Sequence, residues 1–134
     1  MTTTPRIFRA ILHVADIDAA ADFYHRLLDT TGLRVSPGRH YIPCGPVLLA
    51  LFDPSKEEGH PPRPSPDNLY FATDGLDGVF HRAATLNCLS KEEVHGAPAG
   101  QITLRPWGER SFYALDPWGN QLCFVDETTL FTGQ

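Results

Sequence analysis

Across residues 8–14 apolar and polar side chains alternate, with Phe8, Ala10, Leu12 and Val14 on one side and Arg9, Ile11 and His13 on the other. A period of two marks a strand with one packed face and one mixed face. The period then lengthens. Ala20, Phe23, Tyr24, Leu27 and Leu28 recur at helical spacing up to about Asp29, with Asp16 or Asp18 as N-cap and Gly32 as stop. This predicts an amphipathic helix on a sheet, with His25 on its polar side, in solvent. Residues 33–35, 40–42 and 47–52 are short apolar runs separated by Ser36-Pro37-Gly38 and Cys44-Gly45-Pro46, which predicts three strands. Residues 53–67, DPSKEEGHPPRPSPD, are so rich in proline and charge that they read only as a connector, with His60 exposed.

The same order returns at an offset of about sixty residues. A strand at 68–72 leads into a helix capped by Asp74 or Asp77 and running to about Asn87, with Leu76, Phe80, Ala83 and Leu86 inward. Strands follow at Val94, 102–105, 111–115 and 122–125. Ile17-Asp18 and Leu76-Asp77 open the two helices alike, which suggests a duplicated supersecondary unit. The expected fold class is α+β, as one domain. Module one occupies about 6–53, a connector about 54–67 and module two about 68–126, and a short tail at 128–134 lies on the body.

The sharpest local prediction is a turn at Asp116-Pro117-Trp118-Gly119-Asn120. Pro117 suits the first corner of a type I turn, and Gly119 the left-handed position that closes a three-residue hairpin loop. Pairing Asp116 with Asn120 sets Leu115 against Gln121, Ala114 against Leu122, Tyr113 against Cys123 and Phe112 against Phe124. Phe112, Leu122 and Phe124 are then expected to face helices, together with Phe8, Ala10, Leu12, Leu69 and Phe71. Ser111, Tyr113, Leu115, Gln121, Cys123 and Val125 form a mixed face, which reads as a pocket wall or as a solvent-facing surface.

Composition narrows the function. A chain of 134 residues that is 42% apolar can bury a real core. A net charge of -5 without a Lys/Arg cluster argues against nucleic acid, which needs a basic stripe. No apolar run approaches a membrane span, and residues 1–9 lack the apolar core of a signal peptide, so a cytoplasmic location away from membranes is expected. Cys44, Cys88 and Cys123 are widely spaced without a CxxC pair and read as reduced thiols. The six histidines form no HxxxH or HExxH pattern, so spacing alone reveals no metal.

A strand before VADIDAAADFYHRLLD, then LLALFDP, a second strand before TDGLDGVFHRAATL, and finally RSFYALDPWGNQLCFVD together resemble the vicinal oxygen chelate superfamily. That superfamily includes glyoxalase I, extradiol dioxygenases and bleomycin resistance proteins, and DPWGN stands where it usually has DPxGN. The resemblance covers roughly residues 6–126 and implies two βαβββ modules whose curved sheets line a concave cavity. For metal-dependent members it implies four ligand positions, which here hold Arg9, about Ala50, Asn68 and Cys123; only Cys123 is a credible ligand, and no metal or other cofactor is expected. RPWGERSFY resembles the antibiotic-binding and uncharacterised branches, with Trp107 at the cavity mouth and Trp118 outside the site. The resemblance also implies a homodimer.

Three functions follow as expectations. The first is a non-metal small-molecule-binding protein of the bleomycin-resistance type that holds an apolar or aromatic ligand. Its contact residues are Arg9, His13, Asn68, Tyr70, Trp107, Tyr113, Gln121 and Cys123. The second is a metal-independent lyase or isomerase with His13 as general base and Tyr113 or Cys123 as acid or nucleophile. The third is glyoxalase-like or dioxygenase chemistry on a divalent ion with unfamiliar ligands.

Overall fold

The first alternating segment forms strand β1 (Arg9–His13) in the computed structural model of the protein, which describes residues 4–133. Two compact units divide the chain, one ending at Pro64 and the other beginning at Ser65. In the first unit β1 is followed by α1 (Ile17–Leu28), β2 (Leu33–Ser36), β3 (Arg39–Cys44) and β4 (Val47–Phe52). Its sheet runs in the order β1-β4-β3-β2, with β1 parallel to β4 and the other pairs antiparallel. Parallel neighbours need a crossover, and α1 supplies the first part of it. Ala20, Tyr24 and Leu27 on α1 are fully buried, as are Val14, Ile42 and Leu51 on the sheet side.

Asp16 caps α1, accepting the Ala19 N–H at 3.2 Å. The left-handed stop falls on Asp29 (φ 51°) rather than on Gly32. Gly32 answers a different need: a Cβ there would stand 2.4 Å from the Tyr41 carbonyl oxygen, so only glycine lets the chain pass this close to β3.

His25 does not sit in solvent as the helical pattern implied. Its Nε2 lies 2.9 Å from Nε2 of the buried His40, whose Nδ1 accepts from Arg34 Nε at 3.3 Å. A guanidinium can only donate, so the neutral His40 ring carries its proton on Nε2 and donates it to His25. Arg34 is fixed in turn by Asp18 at 2.8 Å. A helix residue on the polar side is thus captured by a neighbouring strand.

The connector also begins with regular structure. Asp53 caps a short helix, α2 (Pro54–Glu57), accepting the Ser55 N–H at 3.0 Å and its hydroxyl at 2.6 Å. Glu57 at its end accepts from the Ser36 hydroxyl and from the Gly38 N–H and pairs with Arg39, bracing the β2–β3 turn. His60 is half-buried instead of exposed, with Nε2 2.9 Å from Glu58.

In the second unit come β5 (Leu69–Thr73), α3 (Leu76–Thr85), a small hairpin of β6 (Glu93–Val94) and β7 (Ala97–Pro98), then β8 (Thr103–Leu104), β9 (Arg110–Leu115) and β10 (Gln121–Asp126). Its main sheet is ordered β5-β10-β9-β8, with β5 parallel to β10. Strand, helix and three strands therefore recur in an α+β fold, with the β6–β7 hairpin added. Gly75 opens α3 without a side-chain cap, in place of Asp74 or Asp77.

The β9–β10 register pairs Leu115 with Gln121, Ala114 with Leu122, Tyr113 with Cys123 and Phe112 with Phe124, as the turn chemistry predicts. The Asp116 N–H donates to the Asn120 carbonyl at 2.9 Å, and Gly119 takes φ 93°. The Asp116 carboxylate accepts from the Trp118 N–H at 2.9 Å and from the backbone and side-chain N–H groups of Asn120, each at 2.8 Å. Phe112, Ala114, Leu122 and Phe124 are buried. Phe71 and Phe112 stack on Phe124 at 4.9 and 5.3 Å, and Phe80 of α3 meets Phe112 edge-on at 5.3 Å. In the first unit Leu12 is buried, whereas Phe8 precedes β1 and is 52% exposed, because the strand starts one residue later than the alternation does. The tail turns through Glu127–Thr129 and lies on the second unit, where the Phe131 N–H donates to Glu109 at 2.8 Å. Gln134 lies outside the described residues.

The histidine pair makes stability pH-dependent. Burial, then the neighbouring His25 and Arg34, hold His40 below its ordinary value in the folded state. The unfolded chain therefore binds more protons once pH falls through about 6.5, and stability is lost from there downward. Burial and the nearby Arg63 act on His13 in the same direction. Chemical denaturation between pH 8 and 5 should show falling stability below pH 6.5, with a shallower slope in His40→Gln; an unchanged slope in that variant would remove the pair from the explanation.

Candidate functional site

Side chains of alternate parity on β5, β10 and β9 share the face away from α3. Cross-strand pairing aligns Tyr70, Cys123 and Tyr113 in one row and Ala72, Val125 and Ser111 in the next. The β9 end of this face is roofed. Tyr113, Cys123 and Val125 form a buried cluster with Ala99, and Val94 of the β6–β7 hairpin packs against it. Burial raises the Tyr113 phenol well above its ordinary range, reinforced by Cys123 and Tyr70. Burial likewise pushes the Cys123 thiol up to about 11, against the opposing pull of Ser111, Tyr113 and Arg105. Both groups are neutral at pH 7, the phenol a hydrogen-bond donor and the thiol without nucleophilic charge.

The β5 end of the face is open. A cleft of about 620 Å³ is lined there by Tyr70, Phe71, Ala72, Trp107, Glu109, Val125, Leu130 and Phe131. Glu109 organises one wall by accepting from the Trp107 indole N–H at 2.7 Å and from the Phe131 N–H at 2.8 Å. His95 meets Trp107 edge-on at 5.1 Å. A second cleft of about 730 Å³ runs along residues 86–94 and includes Asn68, Tyr113 and Gln121. Among the expected contact residues, Tyr70 and Trp107 thus share one cleft and Asn68, Tyr113 and Gln121 the other. Cys123, at 1% exposure, lines neither.

Arg105 was read only as the end of a strand, yet it is 3% exposed and crosses this face. Its Nε donates to the Ser111 hydroxyl at 3.0 Å. Its Nη2 donates to the carbonyls of Ser111, Gln101 and Ala99 at 3.0, 3.2 and 3.4 Å, and the guanidinium carbon sits 5.0 Å from the Tyr113 ring centroid. Glu109 and Phe131 also escaped sequence reasoning. The one available signal was Arg105 at the end of an expected strand, in RPWGER.

Arg9 and His13 belong to the first unit. Arg9 is exposed, its guanidinium 5.0 Å from the Phe8 ring and 5.2 Å from that of Tyr41. His13 Nδ1 accepts the Arg63 N–H at 3.0 Å, which places the neutral ring's proton on Nε2 and leaves no lone pair for a general base. The ligand positions implied by the resemblance do not fit a divalent ion. Ala50 has no donor atom and Arg9 brings positive charge, Asn68 offers a weak neutral oxygen, and Cys123 is a buried thiol. Among the described residues no three His, Cys, Asp or Glu side chains converge on a metal-sized site.

The sequence model of the Glyoxalase/Bleomycin resistance protein/Dioxygenase superfamily matches residues 6–124. Among solved structures, a glyoxalase/bleomycin resistance protein from Albidiferax ferrireducens T118 superposes with a TM-score of 0.71 at 20% identity, over 90% of this chain and 97% of that one. A bleomycin-binding protein complexed with bleomycin gives 0.65 at 20% identity, over 92% and 98%. Lactoylglutathione lyase from Agrobacterium tumefaciens gives 0.64 at 23% identity, over 93% and 96%. At these identities the likeness is one of fold. No curated protein matches the chain.

Thiol chemistry checks the roof over the mixed face. Cys88 and Cys123 are buried, each with its pKa pushed up to about 11, while Cys44 is half-buried. A disulfide exchange reagent at pH 8 should titrate Cys44 first and reach the other two only on unfolding. Rapid native reaction at Cys123, located by peptide mapping, would show that the face is open.

Proposed function

The chain belongs to the Glyoxalase/Bleomycin resistance protein/Dioxygenase superfamily, and from that premise we propose that it is a small-molecule-binding protein that works without a metal. The ligand is apolar or aromatic and lies in the 620 Å³ cleft of the second unit. One observation carries this reading: the cleft presents Tyr70, Trp107 and Phe131 around a floor of Ala72 and Val125, with few polar groups. Clefts of about 300–1,000 Å³ with apolar walls and a few placed polar atoms suit drug-sized molecules. Aromatic rings add edge and face contacts of about 0.5–1.5 kcal/mol each. Cys123, paired with Tyr70, backs the floor, and Asn68, Tyr113 and Gln121 contact whatever enters the neighbouring cleft.

No observation favours the lyase or isomerase reading. His13 offers no lone pair at Nε2 in its hydrogen-bonded tautomer, and the Tyr113 and Cys123 groups are held neutral by burial. The reading includes a homodimer, supported by Ile11 at 58% and Leu33 at 71% exposure on the first unit's sheet, apolar surface that a partner would cover. It also places the protein in the cytoplasm, in accord with three free cysteines. Among the described residues no helix is long and apolar enough to cross a membrane.

A neutral fluorescent probe, N-phenyl-1-naphthylamine, should bind saturably, with affinity lowered about tenfold in Trp107→Ala; linear, non-saturating fluorescence would sink the cleft as a binding site. Light scattering at micromolar concentration should give twice the chain mass, and a monomer would remove the dimer.

A further inference from the structure

We propose that the ligand of this cleft carries a carboxylate, and that Arg105 is the residue that selects it. This rests on the cleft being a small-molecule site. The guanidinium is 3% exposed, and each acceptor of its Nε and Nη2 groups is neutral: the Ser111 hydroxyl and the carbonyls of Ser111, Gln101 and Ala99. Nη1 is buried and has no hydrogen-bond partner. The ion pairs of the described residues all engage other arginines or histidines. Glu109, four residues on, already accepts from Trp107 and Phe131. A buried cation without a counter-charge is destabilising, and an anion that reaches it recovers the deficit.

The position fits one kind of ligand. Arg105 lies over Ser111 and Tyr113 on β9, whereas the cleft lies over Tyr70, Ala72 and Val125 on β5 and β10. All five residues share one face through the Tyr70–Cys123–Tyr113 and Ala72–Val125–Ser111 rows. Strand spacing of about 4.8 Å puts the guanidinium one to two strands from the cleft floor, the length of a small aromatic acid. The ring would occupy the aromatic cleft and the carboxylate would reach across β10 toward Nη1, where a charge-assisted pair forms. Nη1 is buried, so binding must displace part of the roof. The β6–β7 hairpin contributes Val94 to that roof and is held by only the two pairs Glu93–Pro98 and Val94–Ala97 and the Ala99 N–H to Glu92 carbonyl bond at 2.9 Å.

The test compares 3-phenylpropionate with 3-phenylpropionamide, the same shape with and without charge. The acid should displace N-phenyl-1-naphthylamine at least tenfold more strongly than the amide, and Arg105→Gln should abolish the difference. Because that variant removes four hydrogen bonds, three of them buried, and could fail to fold, the wild-type protein is also followed by ¹H–¹⁵N guanidinium spectra. The Arg105 signals should shift with the acid and stay unmoved by the amide or by inorganic phosphate. Equal displacement by acid and amide, or no displacement by either while the probe binds, would overturn carboxylate selection and leave the cleft standing. An equal response to phosphate would reduce Arg105 to a general ion site and overturn it too. Failure of the naphthylamine probe itself would instead strike the earlier reading.

Discussion

The register of β9 against β10 is the constraint on which the second unit depends. A slip of one residue would exchange Phe112, Ala114, Leu122 and Phe124 with Ser111, Tyr113, Cys123 and Val125, because side chains alternate across a sheet. The helix-facing core would then receive a hydroxyl, a phenol and a thiol. The turn prevents this. Asp116 and Asn120 are almost fully buried, and the Asp116 carboxylate accepts three N–H groups inside a five-residue segment while the Asn120 side-chain oxygen holds the Ser65 N–H. Each bond contributes about 1 kcal/mol, but a slipped register would leave several buried polar groups unpaired at about 1–3 kcal/mol apiece. The penalty for the wrong register exceeds the gain of any single contact in the right one.

Charge is handled differently in the two units. In the first, Arg34 is fixed by Asp18 and Arg39 by Glu57, and the two histidines share one proton between facing nitrogens. These two arginines each have an anion, and the result is a structural network closed by side chains. In the second, Arg110 has both Asp77 and Asp126 nearby, yet the far more buried Arg105 has neutral acceptors only. Stability alone would favour an apolar residue at such a place. The Tyr113 ring softens the burial through its π face, which neutralises no charge.

Much of the fold was legible because its signals are local. The hairpin register followed from proline and glycine at fixed turn positions, and both long helices from their spacing. What escaped was settled by partners distant in sequence. His25 was placed in solvent by helical phase, and only the arrival of His40 fifteen residues later draws it in. Glu57 looked like one more charge in a connector until the β2–β3 turn offered it Ser36, Gly38 and Arg39. Of the candidate site, the face carrying Tyr70, Tyr113, Gln121 and Cys123 could be read from alternation. Its division into a roofed end and an open end could not, since the roof comes from residues 94 and 99 and the open cleft's wall from the tail. Arg105 escaped for the same reason: three of its acceptors are backbone carbonyls, which every residue carries and no pattern advertises.

The shared strand-helix-strand order therefore says little about what either unit binds. The first unit follows that order with tight turns, and its connector returns to the end of β1, where the Arg63 N–H donates to His13. The second interrupts the order after α3 with some seventeen residues before β8, and extends beyond β10 with a tail. Both additions fold onto the mixed face. The insertion brings Val94, Ala99 and two of the carbonyls that hold Arg105, those of Ala99 and Gln101, and the tail brings Leu130 and Phe131 to the cleft through Glu109. Loops and termini evade the packing demands of the core and so can carry specificity. The repeated module supplies a rigid floor of alternating side chains, and the departures from the repeat decide which part of that floor a ligand can reach.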